Sequence, residues 1–138
     1  MPDPAPLILI VDDDVDFLEI NRHILEPAGY RVVGCTDPKQ AWERIQQEKP
    51  RLIITDLMMS NLDSGFSLSK QIKQDPRFGD VPIIIATAVT STVGLDLRPR
   101  TPADLAAMHV DAYFDKPVPP KTFLAKVAEL LSHAARSG

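Results

Sequence analysis

The sequence predicts an α/β fold: a doubly wound, five-stranded parallel sheet with helices on both faces. Three observations carry that expectation. Five short apolar runs recur along the chain, at LILIV (7–11), RVVGC (31–35), RLIIT (51–55), PIIIAT (82–87) and VDAYF (110–114). Most are near-continuous in apolar residues, as suits strands covered on both faces. Amphipathic stretches of helical period separate them, and strand–helix alternation leads through right-handed crossovers to a parallel sheet.

Each element has a local reason. LILIV runs straight into Asp12, Asp13 and Asp14. After it, Phe17, Leu18, Ile24, Leu25 and Ala28 fall near one helical stripe, closed by Pro27-Ala28-Gly29. Asp37-Pro38 opens a second helix carrying Ala41, Trp42 and Ile45 on its apolar side. Residues 65–74 carry Phe66, Leu68 and Ile72, with turn chemistry at Asp75-Pro76. In the last helix, Phe123, Leu124, Val127, Leu130 and Leu131 follow i, i+1, i+4, i+7, i+8. Between the fourth and fifth strands, Gly94, Pro99 and Pro102 exclude one continuous helix. Thr101-Pro102-Ala103-Asp104 supplies a cap, a Pro at the first helical position and an acid in the first turn, so a loop over 89–100 and a short helix over 102–109 are expected.

A chain of 138 residues is the size of one domain, expected over 1–138 with a core at about 6–135. The 44% hydrophobic and 25% charged content is globular. A net charge of −4 with scattered Lys and Arg argues against direct nucleic-acid binding, which needs a basic face. The single Cys35 excludes an internal disulfide and reads as a small buried residue in a reducing compartment. No stretch reaches bilayer-spanning length and MPDPAP lacks a signal-peptide pattern, so the expected location is cytoplasmic, with no membrane partner.

In a parallel sheet of this kind, ligands bind outside the carboxyl ends of the strands. Strand one ends in Asp12-Asp13-Asp14, strand three in Asp56, strand four in Thr87-Ala88, and strand five reaches Lys116 through Phe114-Asp115. Carboxylates, a hydroxyl and an ammonium are thus expected on one edge. Neither GxGxxG nor GxxxxGK[ST] occurs, so nucleotide folds of either type lose support. Clustered carboxylates repel unless a cation offsets them. Mg²⁺, or Mn²⁺ in its place, takes oxygen ligands and completes its shell with water and phosphate oxygens, and Asp12, Asp13 and Asp56 fit that need. Asp14 and Asp16 read instead as helix N-terminal residues. Thr87 and Lys116 supply a hydroxyl and a cation of the kind a phosphoryl group needs around its oxygens.

From LILIVDDD through DLMM and ATA to FDKP, the chain resembles the receiver domain of two-component response regulators, a flavodoxin-like, CheY-like fold. The resemblance implies that Asp56 is the phosphoacceptor, attacking a phosphohistidine of a partner sensor histidine kinase or phosphotransfer protein. It implies Mg²⁺ held by Asp13, Asp56 and the backbone carbonyl of Met58, with Asp12 acting through a water. Lys116 would pair with the phosphoryl oxygens. Thr87 would hydrogen-bond one of them, and Tyr113 would follow Thr87 as a switch that alters a surface for a downstream protein target or a phosphorylation-dependent homodimer. Such a domain is a signalling phosphoacceptor and not an enzyme with a separate substrate.

The sequence departs from the family's pattern in two places. Ser60 stands where the family has Pro, with one residue added before Gly65. The segment between Thr87 and Lys116 is longer than usual, which implies a remodelled fourth-helix region, and His109-Val110 stands for Gly-Ala. Two rival readings follow. An aspartate-nucleophile phosphohydrolase would need an acid two residues after the nucleophile, and Met58 cannot protonate a leaving group. A phosphorylation-independent binding module would keep the fold without the switch.

Overall fold

The structure is a computed structural model and describes residues 6–55, 70–87, 111–115 and 119–137. Five strands form one parallel sheet: β1 (Leu7–Val11), β2 (Arg31–Cys35), β3 (Leu52–Thr55), β4 (Ile83–Thr87) and β5 (Ala112–Asp115), in the order β2-β1-β3-β4-β5. The helices are α1 (Val15–Leu25), α2 (Pro38–Gln47), α3 (helical over 70–74 among the described residues) and α4 (Pro120–Ser137). The predicted architecture is the observed one. The expected loop over 89–100, the helix over 102–109, and the apolar residues Phe66 and Leu68 lie outside the described residues.

Strand alternation divides the core in two. Leu9, Val11, Ile53, Ile83 and Ile85 face α2 and α3, packing with Ala41, Ile45, Ile72 and Phe78. Ile8, Ile10, Leu52, Ile54 and Ile84 face the other way, onto Leu25 of α1 and Phe123, Val127 and Leu131 of α4. All five residues of β1 are buried, which is why LILIV shows no polar alternation. Each such Leu or Ile contributes about 1.5–3 kcal/mol on leaving water.

The helices begin and stop where their residues require. Asp14 caps α1, its carboxylate accepting the N–H groups of Asp16 and Phe17. Asp37 caps α2 by accepting the Gln40 N–H at 2.8 Å, with Pro38 at the first position. The inward stripe of α1 includes Asn21, which is buried and donates to the Phe17 carbonyl at 2.8 Å, while Ala28 is exposed. Ala28 leaves the expected stripe because α1 ends at Leu25 and a 3₁₀ turn over Glu26–Ala28 breaks the 3.6-residue period. Gly29 then takes the left-handed conformation at φ 103°, closing the turn. Gly34 in β2 lets α1 approach: a Cβ there would meet Leu18 Cδ1 at 3.3 Å.

The turn after α3 is built on Asp75, whose carboxylate accepts the Arg77 N–H at 2.9 Å and pairs with its guanidinium. Arg77 lies over the Phe78 ring, 4.8 Å from its centroid, and Phe78 meets Trp42 of α2 edge-on at 5.8 Å. No helix among the described residues is long and apolar enough to cross a membrane.

Candidate functional site

The carboxyl ends of the strands are levelled by register. Cys35, Val11, Thr55, Ile85 and Tyr113 form one row across all five strands. Val11, Cys35 and Ile85 of this row are buried in the core facing α2 and α3, and half-buried Tyr113 packs against the same core. The residues beyond the row are the candidates. Asp12 follows Val11, and β3 stops at Thr55 opposite Val11, with Asp56 next in sequence. β4 runs two residues past the row to Thr87, which pairs with Asp115.

The three adjacent aspartates divide their roles. The Asp12 N–H donates to the Cys35 carbonyl at 2.9 Å, carrying the β1–β2 ladder one residue beyond the strand. That pairing helps hold Asp12 at 0% exposure, where its Oδ1 accepts the Asp14 N–H at 2.8 Å. Asp14 turns to cap α1, and Asp13 is left exposed between them. A buried carboxylate beside an exposed one, both oxygen donors at the carboxyl end of the sheet, suits a hard divalent cation more than zinc. Cys35 offers no rival ligand there: its thiol is in the core, and burial pushes its pKa up.

Of the residues expected at the site, Asp12, Asp13 and Tyr113 are described, and Thr87 is described as the last residue of β4. The structure brings Asp12 and Asp13 to the end of β1, and it places Tyr113 on β5 beside Ile85, two residues before the level of Thr87. Asp56, Met58 and Lys116 lie outside the described residues. The sequence reading did not single out Asp111, which holds the start of β5 to β4 through both its backbone and its carboxylate. Its signal was one carboxylate inside an otherwise apolar run, VDAYF.

A family model for the response regulator receiver domain matches residues 8–128. The chain is 36% identical over 125 residues to the probable transcriptional regulator ycf27 of Guillardia theta, covering 90% of this chain and 44% of that protein. It is 31% identical over 128 residues to the alkaline phosphatase synthesis transcriptional regulatory protein PhoP of Bacillus subtilis, covering 90% of this chain and 48% of that protein. It spans from 17% to 56% of the length of the curated relatives it matches. Among solved structures, the signal receiver domain of a signal transduction histidine kinase from Syntrophus aciditrophicus superposes with a TM-score of 0.77 at 29% identity, covering 94% of this chain and 92% of that one. A CheY-like receiver domain protein from Methanospirillum hungatei shares the fold at a TM-score of 0.80 and 24% identity, covering 97% and 99%. The chain belongs to the receiver domain family of two-component response regulators.

Proposed function

We propose that this receiver takes a phosphoryl group onto Asp56 from a phosphohistidine of a sensor histidine kinase or phosphotransfer protein. The observation that carries the reading is the division of labour at the end of β1. Asp12 is buried and Asp13 exposed, level with the end of the strand that leads into Asp56. A carboxylate oxygen of Asp56 attacks phosphorus as the P–N bond breaks, and the histidine departs with that electron pair. Asp13, Asp56 and the Met58 carbonyl would hold Mg²⁺ or Mn²⁺, with Asp12 acting through a water molecule. When bound, the cation would supply positive charge to offset the charge building on the phosphoryl oxygens.

Lys116 pairs with one phosphoryl oxygen, and the Thr87 hydroxyl donates to another. Tyr113, on the strand beside Thr87, responds to that movement by turning, and the surface near β4 and β5 changes with it. That surface is read by a downstream protein target, or by a second phosphorylated copy. Residues 1–138 act as one receiver unit with its core at about 6–135, working in the cytoplasm. Acidic net charge and scattered basic residues support protein partners over direct nucleic-acid contact for this unit. The domain catalyses only its own phosphorylation and dephosphorylation.

The test is incubation with Mg²⁺ and acetyl phosphate, followed by intact mass measurement, with Asp56→Asn alongside. One added phosphoryl group that requires Mg²⁺ and vanishes in the variant is the expected result. A folded protein that gains no adduct and consumes no donor overturns the reading and leaves a phosphorylation-independent binding module.

A further inference from the structure

At the end of the sheet opposite the candidate site, Asp111 joins three elements. Its backbone N–H donates to the Ile83 carbonyl at 2.8 Å, and its Oδ2 accepts the Ile83 N–H at 2.8 Å. The same Oδ2 accepts from Lys73 Nζ at 2.9 Å, and Lys73 donates as well to the Val81 carbonyl at 2.9 Å. Lys73 comes from α3, Ile83 opens β4, and Asp111 immediately precedes β5. One ammonium and one carboxylate therefore tie together segments 38 residues apart in sequence. These are charge-assisted bonds, stronger than neutral ones, and the Lys73 side chain is only 21% exposed.

β5 has particular need of such a tie. It is four residues long, stands at the edge of the sheet, and among the described residues pairs with β4 only. Short strands paired on one side fray at their ends. A slip of one residue would also exchange the faces of Tyr113 and Phe114, which now pack on opposite cores. The register Ile85 with Tyr113 and Thr87 with Asp115 counts directly from the Asp111–Ile83 contact.

We infer that Lys73 and Asp111 are positioning residues for phosphoryl transfer: they pin β5 to β4 so that Tyr113 and the strand leading into Lys116 stay in register with Thr87. This rests on the function proposed above. The pin lies at the far end of the sheet from Asp12 and Asp13, so its loss slows transfer without weakening the cation site.

Three variants separate the contributions. Asp111→Ala removes both side-chain contacts, Asp111→Asn keeps an acceptor for the Ile83 N–H, and Lys73→Met removes only the ammonium. Hydrogen exchange at the β5 amides, Mg²⁺ affinity, and the rate of phosphorylation by acetyl phosphate at saturating Mg²⁺ are measured on each. In Asp111→Ala, exchange accelerates roughly tenfold or more as charge-assisted bonds are lost. Phosphorylation slows roughly tenfold through misplaced groups. Mg²⁺ affinity stays at the wild-type value, and Asp111→Asn recovers most of both effects. Lys73→Met moves both readouts in the same direction by less, and it decides the matter if Asp111→Ala does not fold. Unchanged β5 protection, or lost protection with an unchanged phosphorylation rate, overturns the inference. If the wild-type protein accepts no phosphoryl group, the Asp56 reading fails, and β5 protection alone still decides whether the pin exists.

Discussion

Oδ1 of Asp12 accepts the backbone N–H of Asp14 at 2.8 Å, and so one aspartate of the triplet orders the next. Asp14 is thereby placed to cap α1 with its own Oδ1, 3.0 Å from the Asp16 nitrogen. The run of three carboxylates after a buried strand is resolved by separating them: one inward, one outward, one on a helix end.

Neutralising either aspartate of the proposed cation site tests that separation. Asp12→Asn keeps an acceptor for the Asp14 N–H and remains folded, yet loses roughly 10- to 100-fold in Mg²⁺ affinity by isothermal titration. Asp13→Asn, exposed and without a structural partner to lose among the described hydrogen bonds, weakens binding at least as much with no loss of stability. Chelating the cation from the wild-type protein abolishes phosphorylation by acetyl phosphate.

Asp14→Ala has the opposite signature. Removing the cap destabilises the fold by about 1 kcal/mol in urea unfolding. Phosphorylation in the folded protein continues, since Asp14 caps the helix and is not among the proposed cation ligands. A stability loss with unchanged Mg²⁺ affinity distinguishes it from its two neighbours.

Gly29→Ala isolates a backbone effect. No atom lies within 4 Å of a Cβ built there, so the φ of 103° is the only penalty. Stability falls by about 1–2 kcal/mol in the same assay. Gly29→Asn recovers part of the loss, because Asn tolerates the left-handed region.

Acid stability has a local contributor in the turn after α3. Side-chain and then backbone hydrogen bonds from Arg77 hold the Asp75 carboxyl below its ordinary pKa. A depressed folded-state pKa adds stability above the ordinary aspartate range, and that stability is lost as pH falls through the folded value. Asp75→Asn therefore shows a shallower fall of Tm than the wild type as pH drops from about 5 to about 2, below the usual carboxylate pKa near 4. Asp80, lowered by its hydrogen bond to Lys49, acts in the same direction.

The sequence by itself determined the elements whose causes are local. Five apolar runs became the five strands, shifted by no more than two residues, because near-continuous apolar runs leave little polar alternation to misread. Asp14, Asp37-Pro38 and Gly29 marked helix ends through capping and φ preferences that need only near neighbours. The ends of the strands were legible as a candidate edge because crossover connections make neighbouring strands parallel, which puts all carboxyl ends on one side. Ala28 left its expected stripe because helical period alone does not tell where a helix stops, and buried Asn21 gave no signal because period does not show which polar side chain is satisfied by its own backbone.

Only the tertiary structure decided what depends on distant partners. The order β2-β1-β3-β4-β5 and the row from Cys35 to Tyr113 arise from pairings whose energies no local window contains. Asp12 and Asp13 are the same residue type side by side; the Cys35 carbonyl and the Asp14 N–H, not their composition, set one inward and leave the other exposed. Lys73 and Asp111 look like ordinary surface charges until folding brings together positions 38 apart in sequence, with Lys73 on the Val81 carbonyl and Asp111 on Ile83.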